Sequence, residues 1–193
     1  EQKKIGEADN LKVFIKINKF FNINQIEIKD LVLKKVDFNI YKKDILFFKK
    51  LLETEPNENE IIIKKSNIFF KNKYDEVLFL NKIYKSKFYY DSKNLQNVLS
   101  LNNEIFNVPF KFVVRNDKFN KKIFTKFNAK KIRLSIENNI DYIKNIKKGL
   151  LDILFINNNT SFKYELSKDS LYFISGDKKN YYKGLIDFKP FYF

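Results

Sequence analysis

The constraint that most limits what this chain can fold into is alternation. In "EIFNVPFKFVVR", Glu104 to Arg115, apolar side chains fall at Phe106, Val108, Phe110, Phe112 and Val114, with Asn107, Pro109, Lys111, Val113 and Arg115 between them. A period of two predicts a strand with one oily face and one mostly wet face. The pattern recurs toward the C-terminus. Ile123, Thr125, Phe127 and Ala129 alternate with Lys122, Lys126 and Asn128, and Ile132, Leu134 and Ile136 with Arg133, Ser135 and Glu137. Leu151, Ile153 and Phe155 then share one side of "LLDILFI", and Phe162, Tyr164 and Leu166 stand opposite Lys163 and Glu165. The 22 Phe and 11 Tyr suit such pleated surfaces. Strands at intervals of roughly 10 to 15 residues, separated by polar turns, predict a long antiparallel meander. With only four Gly and three Pro, its turns must rest on Asn, Asp and Ser.

Upstream the reading is mixed. "EQKKIGEADN" looks like a ragged start, so residues 1–22 hold a lead-in and a first strand, and 23–193 form a single β-rich segment. A short helix is predicted near 42–53, in "KKDILFFKKLLET", with Asp44 as its cap and Ile45, Phe48 and Leu52 on one stripe. Ile61 to Phe70 reads as a strand, Lys71 to Asp75 as a polar turn, and Glu76 to Leu80 as the start of the next strand. A second short helix is predicted near 91–99, in "DSKNLQNVLSL", capped by Asp91 or Ser92 and burying Leu95, Val98 and Leu99.

Elimination narrows the chemistry. Without His or Cys, the commonest general base, the usual zinc ligands and the thiolate nucleophile are missing. Glycines stand only at 6, 149, 176 and 184, so no glycine-rich phosphate loop fits. Asp30, Asp37, Asp75, Glu76, Asp141 and Asp169 lie beside turns or between lysines, where solvated carboxylates are found. The expectation is a non-enzyme with no catalytic residue, metal or cofactor.

The net charge of +15 invites phosphate, in nucleic acid or lipid headgroups. The lysines are nevertheless scattered and accompanied by Asn, Ile, Phe and Tyr, the signature of an AT-rich genome. "KSKFYYDSK" and "KKNYYKG" interleave rings with charge in the manner of a single-strand platform, and equally as the wet face of any Lys-rich sheet. The first residue is Glu and Met is absent, so a processed product or a piece of a longer protein is expected, with any anchor or export signal elsewhere.

Ten strands at about 4.8 Å spacing form a sheet nearly 50 Å wide, and two short helices cover little of it. The sheet must close into a filled sandwich or barrel, or curl incompletely into an apolar trough. The candidate lining residues are Phe106, Val108, Phe110, Phe112, Val114, Phe127, Ile132, Leu134, Ile136, Ile153 and Phe155. In a closed β-sandwich, an interaction or adhesin-like module, the same residues are simply core; a third reading is a basic nucleic-acid-binding sheet.

Three stretches carry a resemblance. "INQIEIKDLVLKKVDFNIYKKD" and "NEIIIKKSNIFFKNKYDEVLFLNKI" share an Ile-rich extended pattern, "YYDSKNLQNVLSLNNEIFNVPFKFVVRN" follows, and "YYKGLIDFKPFYF" closes the chain. From about Ile23 to Phe193 the chain resembles a segment of the AsmA-like family, the AsmA, TamB and YhdP type proteins of Gram-negative envelopes. The family's N-terminal membrane helix has no counterpart in this sequence. The resemblance implies a periplasmic segment, anchored in the inner membrane from outside this chain, whose β-groove carries phospholipid between membranes and supports outer-membrane biogenesis.

Overall fold

The computed structural model describes residues 6–16, 27–41, 44, 59–143, 146–175 and 182–187. The fold is mainly β. Its strands are β1 (Gly6–Lys16), β2 (Glu27–Tyr41), β3 (Glu60–Lys71), β4 (Val77–Asp91), β5 (Gln96–Ile105), β6 (Val108–Asp117), β7 (Lys122–Ala129), β8 (Leu134–Ile143), β9 (Ile146–Phe155), β10 (Asn158–Leu166), β11 (Ser170–Ser175) and β12 (Lys183–Asp187). Sheet order follows chain order from β1 to β12 and has two ends, so it is not a closed barrel. The expected meander needs one correction: β2 and β3 pair in parallel, each paired residue of β2 facing the one 30 positions later. The chain forms two compact units, Glu1–Lys111 and Phe112–Phe193, with the boundary inside β6.

Turn chemistry corrects three further expectations. The stretch from Glu104 to Arg115 is a hairpin and not one strand. Phe106 and Asn107 both take positive φ, 51° and 60°, and turn the chain between β5 and β6. That is the two-residue geometry whose twist matches a hairpin. Ile156 and Asn157, at 46° and 71°, do the same between β9 and β10.

The helix predicted near 91–99 is a turn leading into β5. Asp91 Oδ1 accepts the backbone N–H groups of Lys93 (3.1 Å) and Asn94 (3.3 Å), as a helix cap does. The chain then leaves the helical path, because Leu95 takes φ 54°. Asp117, Asn120 and Lys121 repeat the device between β6 and β7: Asp117 Oδ1 accepts Asn120 N–H at 2.8 Å and Lys121 takes φ 54°.

Gly6 to Asn10, read as lead-in, belongs to β1. Ile132, read as part of a strand, sits in a 3₁₀ turn, Lys130–Ile132, ended by Arg133 at φ 52°. The helix expected near 42–53 lies outside the described residues except for Asp44, whose Oδ2 accepts the Tyr41 N–H at 2.9 Å.

Register sorts the side chains of the second unit into two faces. In antiparallel ladders directly opposed residues point the same way. Phe127, Ile136, Ile153 and Thr160 form one row, Ala129, Leu134, Phe155 and Asn158 the next, and Ile123, Ile140, Gly149, Tyr164, Phe173 and Gly184 another. That face is largely apolar. The opposite face carries charge in matched pairs, Lys126–Glu137 at 2.5 Å, Lys148–Glu165 at 2.6 Å and Lys122–Asp141 at 3.8 Å. Each is a directly opposed cross-strand pair.

The first unit keeps the same division through an interruption. The backbone makes no ladder pair at Asp9, Lys35, Lys65 or Tyr84, nor between Val36 and Ser66, although the register is the same on either side of the gap. Lys35 and Lys65 take φ 51° and 49°. Against β5, Tyr84 is one residue extra, between Ile83↔Asn103 and Lys85↔Asn102. These positions form a line of bulges across four strands. A bulge reverses the alternation beyond it, and here all four reverse together. Leu33 and Val36, Ile63 and Ser66, Ser86 and Ile83 therefore share one face with Leu101 and Asn103 of the unbroken β5. Val36, Ile40 and Ile83, each 3% exposed, are the best-buried apolar side chains on that face.

Candidate functional site

The candidate site is the apolar face of each unit. In the second unit the register gathers Phe127, Leu134, Ile136, Ile153 and Phe155 of the predicted lining into adjacent rows. Within the second unit every substantial contact between elements is made by ladder neighbours. Phe127, Leu134, Ile136, Leu151, Ile153, Phe162 and Phe173 are accordingly only half-buried, and Phe155 is exposed.

The other predicted residues are distributed differently. Phe106 projects from its turn at 78% exposure, and Ile132 is 40% exposed on the 3₁₀ turn. Val108 and Phe110 lie in the first-unit part of β6, half-buried, whereas Phe112 and Val114 lie in the second-unit part, Val114 fully buried.

Reading the sequence alone missed two sets of residues. Leu151, Phe162, Tyr164 and Phe173 continue the second unit's face; the alternation of the first three was visible, and only the register joins them and Phe173 to it. The apolar face of the first unit was missed because "DLVLKKVDFNIY" does not alternate strictly, the bulge at Lys35 having reversed its parity. Aromatic pairs reinforce both faces, Phe70 stacking on the opposed Phe79 at 4.3 Å and Phe162 meeting Phe173 edge-on at 6.2 Å.

The first unit's face has a polar floor. Ser66, Asn81, Ser86 and Asn103 are buried in it. Ser66 is accounted for: its hydroxyl accepts the Val36 N–H at 3.0 Å and donates to the Lys64 carbonyl at 2.9 Å, stitching the bulge. Among the described residues, Asn81 Oδ1, Ser86 Oγ and Asn103 Oδ1 have no hydrogen-bond partner.

On the opposite face, Glu104 bonds Lys82 at 3.0 Å and the Tyr84 hydroxyl at 2.6 Å. The hydrogen bond to Glu104 lifts the Lys82 pKa above the ordinary ammonium value and the Tyr84 pKa above that of a free phenol. Among the described residues no group of His, Cys, Asp and Glu is placed to hold a metal ion, and no helix is long and apolar enough to cross a membrane.

Fold and site together define a mainly β protein with apolar rows in register on one face of each unit and opposed pairs of lysine and acid on the other. A comparison with protein-family models finds no match, and none is found among curated proteins.

Proposed function

We propose that this chain is a non-enzymatic lipid-binding segment of an AsmA-like envelope protein, in which phospholipid acyl chains lie along the apolar sheet faces. On this reading it is periplasmic, tethered to the inner membrane by sequence outside this chain, and contributes to lipid transport in outer-membrane assembly. The observation that carries the reading is the second unit's face: rows of Phe, Ile and Leu in register whose side chains stay half-buried or exposed. An apolar patch of that extent is unusual on a protein without a binding partner. Acyl chains gain about 0.8 kcal/mol per buried CH₂ on such a surface.

The test is mass spectrometry of lipid extracted from gently purified protein, for the native chain, for Ile136→Lys with Ile153→Lys, and for Lys126→Glu as a control on the charged face. The native chain and the control should retain phospholipid and the double variant should lose it. Lipid-free native protein, or a self-associated form whose apolar faces cover one another, refutes the reading.

A further inference from the structure

The line of bulges in the first unit leaves a notch bordered by lysines, on the face that carries Lys34 and Lys64. It is a cavity of about 470 Å³ lined by Asp9, Asn10, Lys34, Lys35, Lys64 and Lys65. The lysines arrive in pairs from two strands. The 30-residue parallel register sets Lys34 opposite Lys64 and Lys35 beside Lys65, and the antiparallel register sets Lys85 opposite Lys64. Adjacent strands are about 4.8 Å apart, so the lysine stems start nearly in contact, and like charges directly opposed destabilise a sheet.

Elsewhere in the sheet several lysines are matched by an acid. Lys82, Lys122, Lys126 and Lys148 each face a carboxylate. Among the described residues, none of Lys34, Lys35, Lys64, Lys65 or Lys85 makes an ion pair, and Asp9 is the one acid lining the notch. Four lysines and one aspartate leave the lining at +3. The Ser66 hydroxyl, bonded to Val36 N–H and Lys64 O, holds the two lysine pairs side by side.

We infer that this notch binds a phosphate dianion, as a phosphomonoester headgroup or as free phosphate or pyrophosphate. Clustered ammonium groups are point charges that neutralise a phosphate from several sides. The volume takes one such group with room for its organic substituent. Because the notch is lined by first-unit residues outside the apolar rows that carry the lipid-binding reading, it is a separate site and does not depend on that reading.

The test uses the full 193-residue chain with Lys64→Gln, Lys34→Gln and, as a control, Lys148→Gln. Calorimetric titration with sodium pyrophosphate should give saturable binding, weakened at least tenfold in both notch variants and unchanged in the control. Relief of repulsion predicts a second signature: each notch variant alone melts at a higher temperature than the native chain, yet loses the rise in Tm that pyrophosphate gives the native protein. A lysine with a merely structural role would not produce that combination.

Flotation with phosphatidylcholine vesicles containing phosphatidic acid or phosphatidylglycerol identifies the source. Retention on phosphatidic acid alone indicates a lipid monoester, and titration by soluble pyrophosphate without retention indicates a free anion. Absence of saturable binding in both arms overturns the site. So does equal loss in the control variant, or tighter binding to a single-stranded oligonucleotide in proportion to its length.

Discussion

Replacing Gly149 by Ala tests the packing of the second unit, because propensity and structure predict opposite signs. A glycine inside a strand is normally a weakness, and Gly→Ala there gains about 0.5–1 kcal/mol by restricting the unfolded chain. Here Gly149 faces Tyr164 across the β9–β10 ladder. A Cβ on residue 149 would sit 2.2 Å from Tyr164 Cζ and 2.4 Å from its Oη. Ordinary carbon contacts need about 3.5–4.0 Å, so the ring must retreat by more than an ångström. Its hydroxyl donates to Asn138 Oδ1 at 2.9 Å, and that bond breaks as the ring moves. The lost hydrogen bond costs about 1 kcal/mol and the crowded packing about 1–2 kcal/mol. Set against the entropic gain, the net is a destabilisation of about 1–2 kcal/mol. For a chain of this size that lowers Tm by roughly 2–8 °C. Urea unfolding followed by far-ultraviolet circular dichroism measures it. In a Tyr164→Ala background the clash is gone and the same Gly149→Ala change should stabilise by about 0.5–1 kcal/mol. Gly184 beneath Phe173, with a built Cβ 2.5 Å from the ring Cζ, should behave like Gly149. A neutral or stabilising Gly149→Ala in the native background refutes the reasoning.

Three further outcomes follow from other features. Ile156 is β-branched, 48% exposed and at φ 46°, so Ile156→Asn with Asn157→Gly should raise stability by about 1–2 kcal/mol in urea unfolding; a loss would mean the turn differs. Ser86→Ala removes a buried, unpartnered hydroxyl and should gain about 1 kcal/mol by the same assay; a loss of that size would reveal a partner for it. Glu104 raises the pKa of both Lys82 and Tyr84, so their contribution is fully present below the unfolded-state values, about 10.5 and 10.0, and is lost as pH rises through the folded ones. Glu104→Gln should therefore lessen the fall of the urea midpoint above about pH 9, and an unchanged alkaline slope would count against the pairing.

How much was legible in the sequence depended on whether alternation was local and unbroken. Within Phe127–Ala129, Leu134–Ile136 and Leu151–Phe155 it was, and the predicted lining residues Phe127, Ile136 and Ile153 fall in one row. The opening stretch failed for an instructive reason: Ile105 and Val108 end one strand and begin the next, and a turn of Phe106 and Asn107 preserves a period of two across the reversal. Neither residue is glycine, and the turn signal of Asn107 was hidden by the alternation on either side of it. The helix expected near 91–99 failed because Asp91 makes a helix cap's hydrogen bonds, while the left-handed Leu95 that ends the turn carries no mark in the sequence. The parallel pairing of β2 with β3 is a long-range choice that periodicity cannot reveal. The likeness between "DLVLKK" and "EIIIKK" reflects it, since the two segments lie side by side in register.

That likeness also bears on why the notch is basic. A bulge in one strand alone would turn every later side chain to the wrong face, so an uninterrupted apolar face requires the neighbouring strands to reverse parity at the same row. Lys35 and Lys65 occupy equivalent places for that reason. Geometry asks only for a residue that tolerates positive φ, and Asn or Gly meets the demand at less cost than Lys. Nor does a bias toward A-rich codons decide the matter, because Asn is drawn from such codons as readily as Lys. Bulge mechanics therefore account for the position of the crease and leave its charge unexplained, and a bound phosphate accounts for the charge. Lys35→Asn with Lys65→Asn separates the two: the fold should be retained or stabilised while pyrophosphate binding falls, and a variant that binds as the native chain does would reduce the lysines to ornaments of the bulge.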